Sequence, residues 1–262
     1  MRSMWKGHLR FSLVTIPIQI FNAVDNSNTV HFNQLHATDN GKINYKKVCS
    51  ECDKEVPIAE IVKGYEYSPD QFVVIKPEEL ENIKLESNKA IDIEAFVDIS
   101  EVHPSRFEAV YYIGPSAAIG VPTFNLLYKA LIKANKAGVG RIVLREKEDI
   151  VLLVPENQGI VMYKLRYPDE LKSISEVPDL KDMPVDDAQL KLADTLIDSL
   201  TKKFSDIDFK DNYRAAILDI VNQKVAGKET VTMAETTSTA PVIDIMEALK
   251  ASIEEAKRLK AS

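Results

Sequence analysis

Short runs of alternating or continuous apolar residues dominate the first two-thirds of the chain. Phe11 to Phe21 alternates around Pro17, which predicts a strand with an edge or bulge at the proline. Phe72–Ile75, Ile91–Val97, Ala109–Ile113, Arg141–Leu144, Ile150–Val154 and Ile160–Leu165 are β-branched or aromatic runs bounded by turn residues. Asn157-Gln158-Gly159 between the last two predicts a hairpin turn. Many short, closely spaced strands favour a barrel or sandwich.

Helical spacing appears between and after these runs. Pro77-Glu78-Glu79-Leu80 starts a short helix, with proline at a position where its missing N–H costs nothing. Thr123 to Ala137 predicts a helix capped by Thr123 and stopped by Gly138. Asp186 to Phe204 carries Leu190, Ala193, Ile197, Leu200 and Phe204 at spacings of three and four. Asp211 to Ala226 carries Tyr213, Ile217, Ile220 and Val225. Residues 229–240 are rich in threonine and serine and read as a linker. Residues 241–262 place Val242, Met246, Leu249 and Ile253 on one face of an amphipathic helix. The expected organisation is therefore a core over 1–228, a linker over 229–240 and a terminal helix over 241–262.

Composition changes this picture little until charge is mapped along the chain. The 262 residues are 45% hydrophobic and 28% charged, which suits a globular protein, and carry a formal net charge of -7. That total argues against indiscriminate binding to phosphate or anionic lipid. The charge is segregated, however. Met1 to Val24 holds Arg2, Lys6 and Arg10 and no acid. Lys42, Lys46 and Lys47 surround Tyr45 in a strand-like run, again without an acid. Glu66 to Glu108 is strongly acidic, and Lys129 to Lys147 swings back to basic. One basic surface on an otherwise acidic protein would read this way. Arg141 and Arg145 add a basic pair at the end of one predicted strand, suited to sugar-phosphate backbone rather than base edges.

Catalytic motifs are missing from the sequence. Gly138-Val139-Gly140-Arg141 lacks the spacing of a phosphate-binding loop, and neither a Gly-x-Ser-x-Gly elbow nor a His-Glu-x-x-His pair occurs. Cys49-Ser50-Glu51-Cys52 has the spacing of half a zinc site. Its other half would come from His36 or from a second chain; the alternative is two reduced cysteines in a turn. Two cysteines in a chain of this length fit a reducing compartment. The sequence lacks a secretion signal and any apolar run of about 18 residues, so the expected location is cytoplasmic, with no membrane partner.

Two stretches carry a family resemblance. The first is Met4-Trp5-Lys6-Gly7-His8-Leu9-Arg10-Phe11-Ser12-Leu13-Val14-Thr15-Ile16-Pro17-Ile18. The second is Phe32-Asn33-Gln34-Leu35-His36 followed by Asn40-Gly41-Lys42-Ile43-Asn44-Tyr45-Lys46-Lys47-Val48-Cys49. Together with Ile61–Tyr67, Ile93–Val97, Tyr111-Tyr112, Gly140–Arg145, Leu165-Arg166-Tyr167 and Leu196–Leu200, they resemble the bacterial Ku family. The resemblance implies a mixed, mainly β fold: a Ku-type β-barrel with an inserted bridge and a helical C-terminal arm, forming a ring as a two-fold homodimer. It implies sequence-independent binding of double-stranded DNA ends, without catalysis, and recruitment of an ATP-dependent DNA ligase in non-homologous end joining. The expected setting is nucleoid-associated.

On that resemblance the DNA-facing residues are Lys6, Arg10, Lys42, Lys46, Lys47, Lys63, Arg141, Arg145 and Arg166, with Arg106 added from outside the matching segments. The segment from Val242 to Lys250 looks like the family's ligase-engaging region, which assigns partner contact to Val242, Met246, Leu249 and Ile253. The resemblance requires no cofactor. The competing expectation, supported by the negative charge, is a protein-interaction scaffold that does not bind DNA.

Overall fold

A computed structural model describes residues 1–27, 29–82, 89–144, 147–157, 159–227, 247–249 and 251–254. Seven of its strands close into a barrel: β1 (Ser3–Phe11), β2 (Val14–Asn22), β5 (Ala90–Val97), β6 (Phe107–Pro115), β7 (Ala137–Leu144), β8 (Lys147–Glu156) and β9 (Gly159–Leu165). The order around the barrel is β1-β2-β6-β9-β8-β7-β5. Every neighbouring pair is antiparallel except β1 against β5, whose parallel ladder closes the ring of strands. Closure removes the unpaired edges that an open sheet would expose. A separate hairpin joins β3 (Lys63–Ser68) to β4 (Gln71–Ile75), followed by α1 (Pro77–Asn82).

Alternation dictates the interior. Leu9 on β1, Ile16, Ile18 and Ile20 on β2, Ile91 on β5, Ile142 on β7, Val151 and Leu153 on β8, and Ile160 and Met162 on β9 form one buried cluster. Helix α2 (Val121–Ala134) contributes Phe124, Leu127 and Leu131 to it, residues that share one helical face. A smaller cluster of Ala137, Leu152 and Leu165 lies on the opposite parity of β7, β8 and β9, beneath Val102 and Phe107.

The stretch expected as one strand over Phe11–Phe21 is in fact a turn plus a second strand. Ser12 takes a left-handed conformation with φ 51°, the chain reverses, and Val14 pairs back onto Phe11. β1 itself went unpredicted because Lys6, Gly7, His8 and Arg10 dilute its apolar signal. Pro17 lies inside β2, opposite His8 of β1 and without a bulge there, while the β6 ladder begins only at Ile18 and the Pro17 carbonyl accepts from Ser116 N at 3.0 Å.

Helix α2 begins earlier than expected, with Gly120 rather than Thr123 at its cap. Packing sets this entry: a Cβ on Gly120 would sit 2.9 Å from Pro17 Cγ. The helix ends at Ala134, where Asn135 adopts φ 52°. Ala137 already pairs with Val97 in the barrel. The expected strand-like run over Lys42–Lys47 is exposed chain outside any strand, joined by an isolated bridge between Leu35 and Lys42 and by backbone bonds at Ile43 and Lys47.

The chain divides into two compact units, Met1–Glu176 and Val177–Ser262. The second holds α3 (Asp187–Leu200) and α4 (Asn212–Val225). Asp186 and Asp211 cap them, accepting from Gln189 N and Arg214 N. The α3 helix ends before Phe204, which starts a 3-10 turn and packs on Phe209. Its expected core residues Leu190, Ile197 and Leu200 are exposed. The linker over 229–240, and Val242 and Met246 of the terminal helix, lie outside the described residues. Residues 247–249 and 251–254 are helical, with Leu249 half-buried and Ile253 buried. No helix of the described residues is long and apolar enough to cross a membrane.

Candidate nucleic-acid interface

The cations expected to face DNA fall into three structural groups. On β1, odd positions point into the barrel and even positions point out, so Lys6 and Arg10 share the outer face. Lys6 is exposed with no ion pair among the described residues. Arg10 is half-buried, and its guanidinium grips Asp92 through two parallel bonds, Nε to Oδ1 at 2.6 Å and Nη2 to Oδ2 at 2.7 Å. That carboxylate raises the Arg10 pKa above the ordinary range, first by hydrogen bonding and then by charge. The pairing follows from strand register, which sets Arg10 beside Asp92 on β5 and Asp92 beside Arg141 on β7.

Arg141 turns to other acids. Its Nε lies 3.0 Å from Glu94 and its Nη1 3.2 Å from Glu148. Gly140 makes this close arrangement of β5 and β7 feasible, since a Cβ there would lie 2.3 Å from the Asp92 carbonyl oxygen. Gly140 therefore serves strand packing, whereas a Cβ on Gly138 would make only ordinary contact with Ile93. Tyr167 OH donates to the Glu148 carbonyl at 3.3 Å. Burial, then the Glu148 charge, pushes the Tyr167 hydroxyl up, which keeps it protonated as a donor.

Other expected cations are also engaged. Lys46 Nζ lies 2.7 Å from Glu55. Arg166 Nη1 lies 3.9 Å from Glu108, and Arg106 Nη1 donates to the Arg166 carbonyl at 3.5 Å. Lys63 is exposed on β3 and takes part in an interaction of its own. Lys42 and Lys47 are exposed without an ion pair among the described residues. Arg145 lies outside the described residues. Sequence reasoning found these cations but missed their partners. It also missed Lys164, whose Nζ sits 3.1 Å from both Asp149 and Glu108. Burial lowers the Lys164 pKa, but its hydrogen bonds to these two acids and their charges together outweigh it and leave the net shift upward.

The cysteine pair occupies a built turn. Cys49 N donates to Lys54 O at 3.0 Å, Asp53 N donates back to Cys49 O at 2.9 Å, and Asp53 adopts φ 54°. The amides of Glu51 and Cys52 and the Cys52 thiol donate to the Cys49 sulfur, which lowers its pKa. Thirteen positions earlier the same pattern recurs. His36 N donates to Gly41 O, Asn40 N donates to His36 O, both at 2.8 Å, and Asn40 adopts φ 57°. No group of three or more His, Cys, Asp or Glu side chains able to hold a metal forms among the described residues. His36 is not brought to the cysteine pair; its ring lies 3.0 Å from Asp39.

A closed seven-stranded barrel with an inserted hairpin, followed by helices, defines a class, and comparison with known proteins identifies it. Residues 10–192 match the family model described as the Ku70/Ku80 β-barrel domain. The non-homologous end joining protein Ku of Bacillus subtilis is 39% identical, over 98% of this chain and 83% of its own length. The proteins of the same name from Heliobacterium modesticaldum and Archaeoglobus fulgidus are 38% and 37% identical over 98% of this chain, covering 92% and 100% of theirs. The chain belongs to the Ku family.

Proposed function

We propose that this protein binds broken ends of double-stranded DNA as a homodimeric ring and recruits an ATP-dependent DNA ligase for non-homologous end joining, without catalysing a step itself. The observation that carries the reading is the near full-length similarity to proteins named for end joining. Lys6, Lys42 and Lys47, which carry no ion pair among the described residues, make the first phosphate contacts in this reading, and Lys63, Arg106, Arg145 and Arg166 add to them. The setting is cytoplasmic and nucleoid-associated.

Exposed apolar surface supports self-association. Tyr65, Tyr67 and Val73 alternate with Phe72 and Val74 across the β3–β4 hairpin, so both faces carry apolar side chains, all more than half exposed. A two-stranded hairpin is marginal alone in water. Burial of these faces by a second chain would stabilise it. The Leu190, Ile197 and Leu200 stripe on α3 is a second surface of this kind.

The same two-fold would bring two Cys49–Cys52 turns together. Two thiolate pairs complete the four-coordinate tetrahedral shell of a structural zinc. The lowered Cys49 thiol and the fixed turn fit that role, so the proposed metal sits between chains as a structural link.

Salt dependence tests the DNA reading. Neutralising about six phosphates gives a slope of log affinity against log salt near about -5 on a short blunt duplex. A duplex affinity independent of salt would contradict it.

A further inference from the structure

The outer face of β1, β5, β7 and β8 carries a strip of alternating charge. Arg10 and Asp92 stand side by side, Arg141 is next in register, and Glu94 and Glu148 flank Arg141. Two arginines meet three carboxylates, so the strip holds one more negative charge than positive. Each guanidinium is occupied, by Asp92 at 2.6 and 2.7 Å in one case and by Glu94 and Glu148 at 3.0 and 3.2 Å in the other. The arrangement is not incidental contact between floppy side chains. Inward neighbours Leu9, Ile91 and Ile142 are fully buried and fix the backbones, and Gly140 permits their close approach.

A face built to grip phosphate would leave its arginine forks free, because bidentate binding of phosphate uses the same donors that bind carboxylate. Here a phosphate must displace a resident carboxylate and then lie beside it. The side chains are roughly half exposed, so solvent screens each pair and leaves it weak. Such a pair can be opened by DNA but subtracts from what the contact contributes.

We propose that Asp92, Glu94 and Glu148 are guard residues that hold Arg10 and Arg141 back from the DNA backbone. Retention on a duplex then rests on encirclement more than on charge, and the barrel does not adhere to unbroken DNA from the side. The inference rests on the DNA-binding reading above, and refines it by assigning these two arginines a restrained role instead of a leading one.

The test is a triple substitution, Asp92→Asn, Glu94→Gln and Glu148→Gln, in the full chain. A control with Asp169→Asn, Asp179→Asn and Asp182→Asn changes net charge equally on exposed residues elsewhere. Thermal melts confirm that each variant folds. Binding is measured on short linear duplex and on closed circular DNA across a salt series. The guard variant is expected to bind linear duplex about ten-fold more tightly than wild type, with a salt slope steeper by about 2, one counterion for each arginine released. The control should show less than half of either change. A gain on circular DNA as well would place the strip on the outside of the ring, still as a guard. A folded guard variant with unchanged or weaker binding, or one matched by the control, overturns the inference. Wild type that binds linear duplex beside such a variant overturns the guard alone; wild type and variant that both ignore DNA overturn the end-binding reading as well.

Discussion

His36 and Cys49 occupy the same position in two copies of one tight turn. In each, the residue's amide donates to a carbonyl five positions on, its carbonyl accepts from an amide four positions on, and that fourth residue adopts a left-handed conformation. Even the flanking bridges correspond, Leu35 with Lys42 and Val48 with Glu55. The copies differ in chemistry: one offers a histidine bonded to Asp39, the other a thiol pair with one lowered pKa.

The thiol copy offers two thiolates, the softer ligands that favour zinc. Metal analysis of protein purified without chelator should find about one zinc for every two chains, and Cys49→Ser should lose it with proton uptake on release. Full occupancy in a protein held monomeric, or none in a wild-type dimer, contradicts a shared site.

Gly140 sets the spacing of β5 and β7. Gly140→Ala places a methyl against the Asp92 carbonyl and should cost about 1–3 kcal/mol of stability by denaturant melt. Gly159, which meets only a carbonyl at 3.8 Å, is the matched control and should tolerate alanine far better.

Lys164 supports the buried carboxylate of Asp149, which is 4% exposed. Lys164→Met should destabilise the fold by about 2–4 kcal/mol at neutral pH, since it strands that charge. The folded pKa of Lys164 lies above its unfolded value. Its contribution is therefore complete below the ordinary lysine range and lost as pH rises through the raised value. Stability of wild type and variant should differ by a constant amount through neutral and mildly alkaline pH, and the gap should narrow only above the ordinary lysine range.

Removing residues 241–262 should leave duplex binding unchanged and reduce stimulation of the partner ligase. Ligase joining assays with and without the segment check this, and undiminished stimulation would move the docking surface elsewhere.

Much of the barrel was readable because alternation is a local property. The runs at Ile91–Val97, Ala109–Ile113 and Ile160–Leu165 became β5, β6 and β9 with their apolar faces inward. The opening hairpin was harder to see, because its reversal depends on Ser12 adopting positive φ and carries no glycine at that point. The limits of α2 were set by Gly120 against Pro17 and by the demand for Ala137 in β7, both long-range effects. Charge told the least. Arg141 is visible in the sequence as a cation, yet Glu94 lies far back along the chain and reaches it only through pairing of β5 with β7. The α3 stripe has the period of a buried face while its residues are exposed, so periodicity alone misplaced them in a core.

Competition between DNA forms tests the central claim most directly. Purified protein is bound to a short blunt duplex and challenged with equal masses of linear or closed circular DNA. The ring account predicts that linear DNA competes and circular DNA does not, because loading needs an end. Equal competition by circles would contradict it, and absence of any duplex binding would favour a protein-interaction scaffold instead.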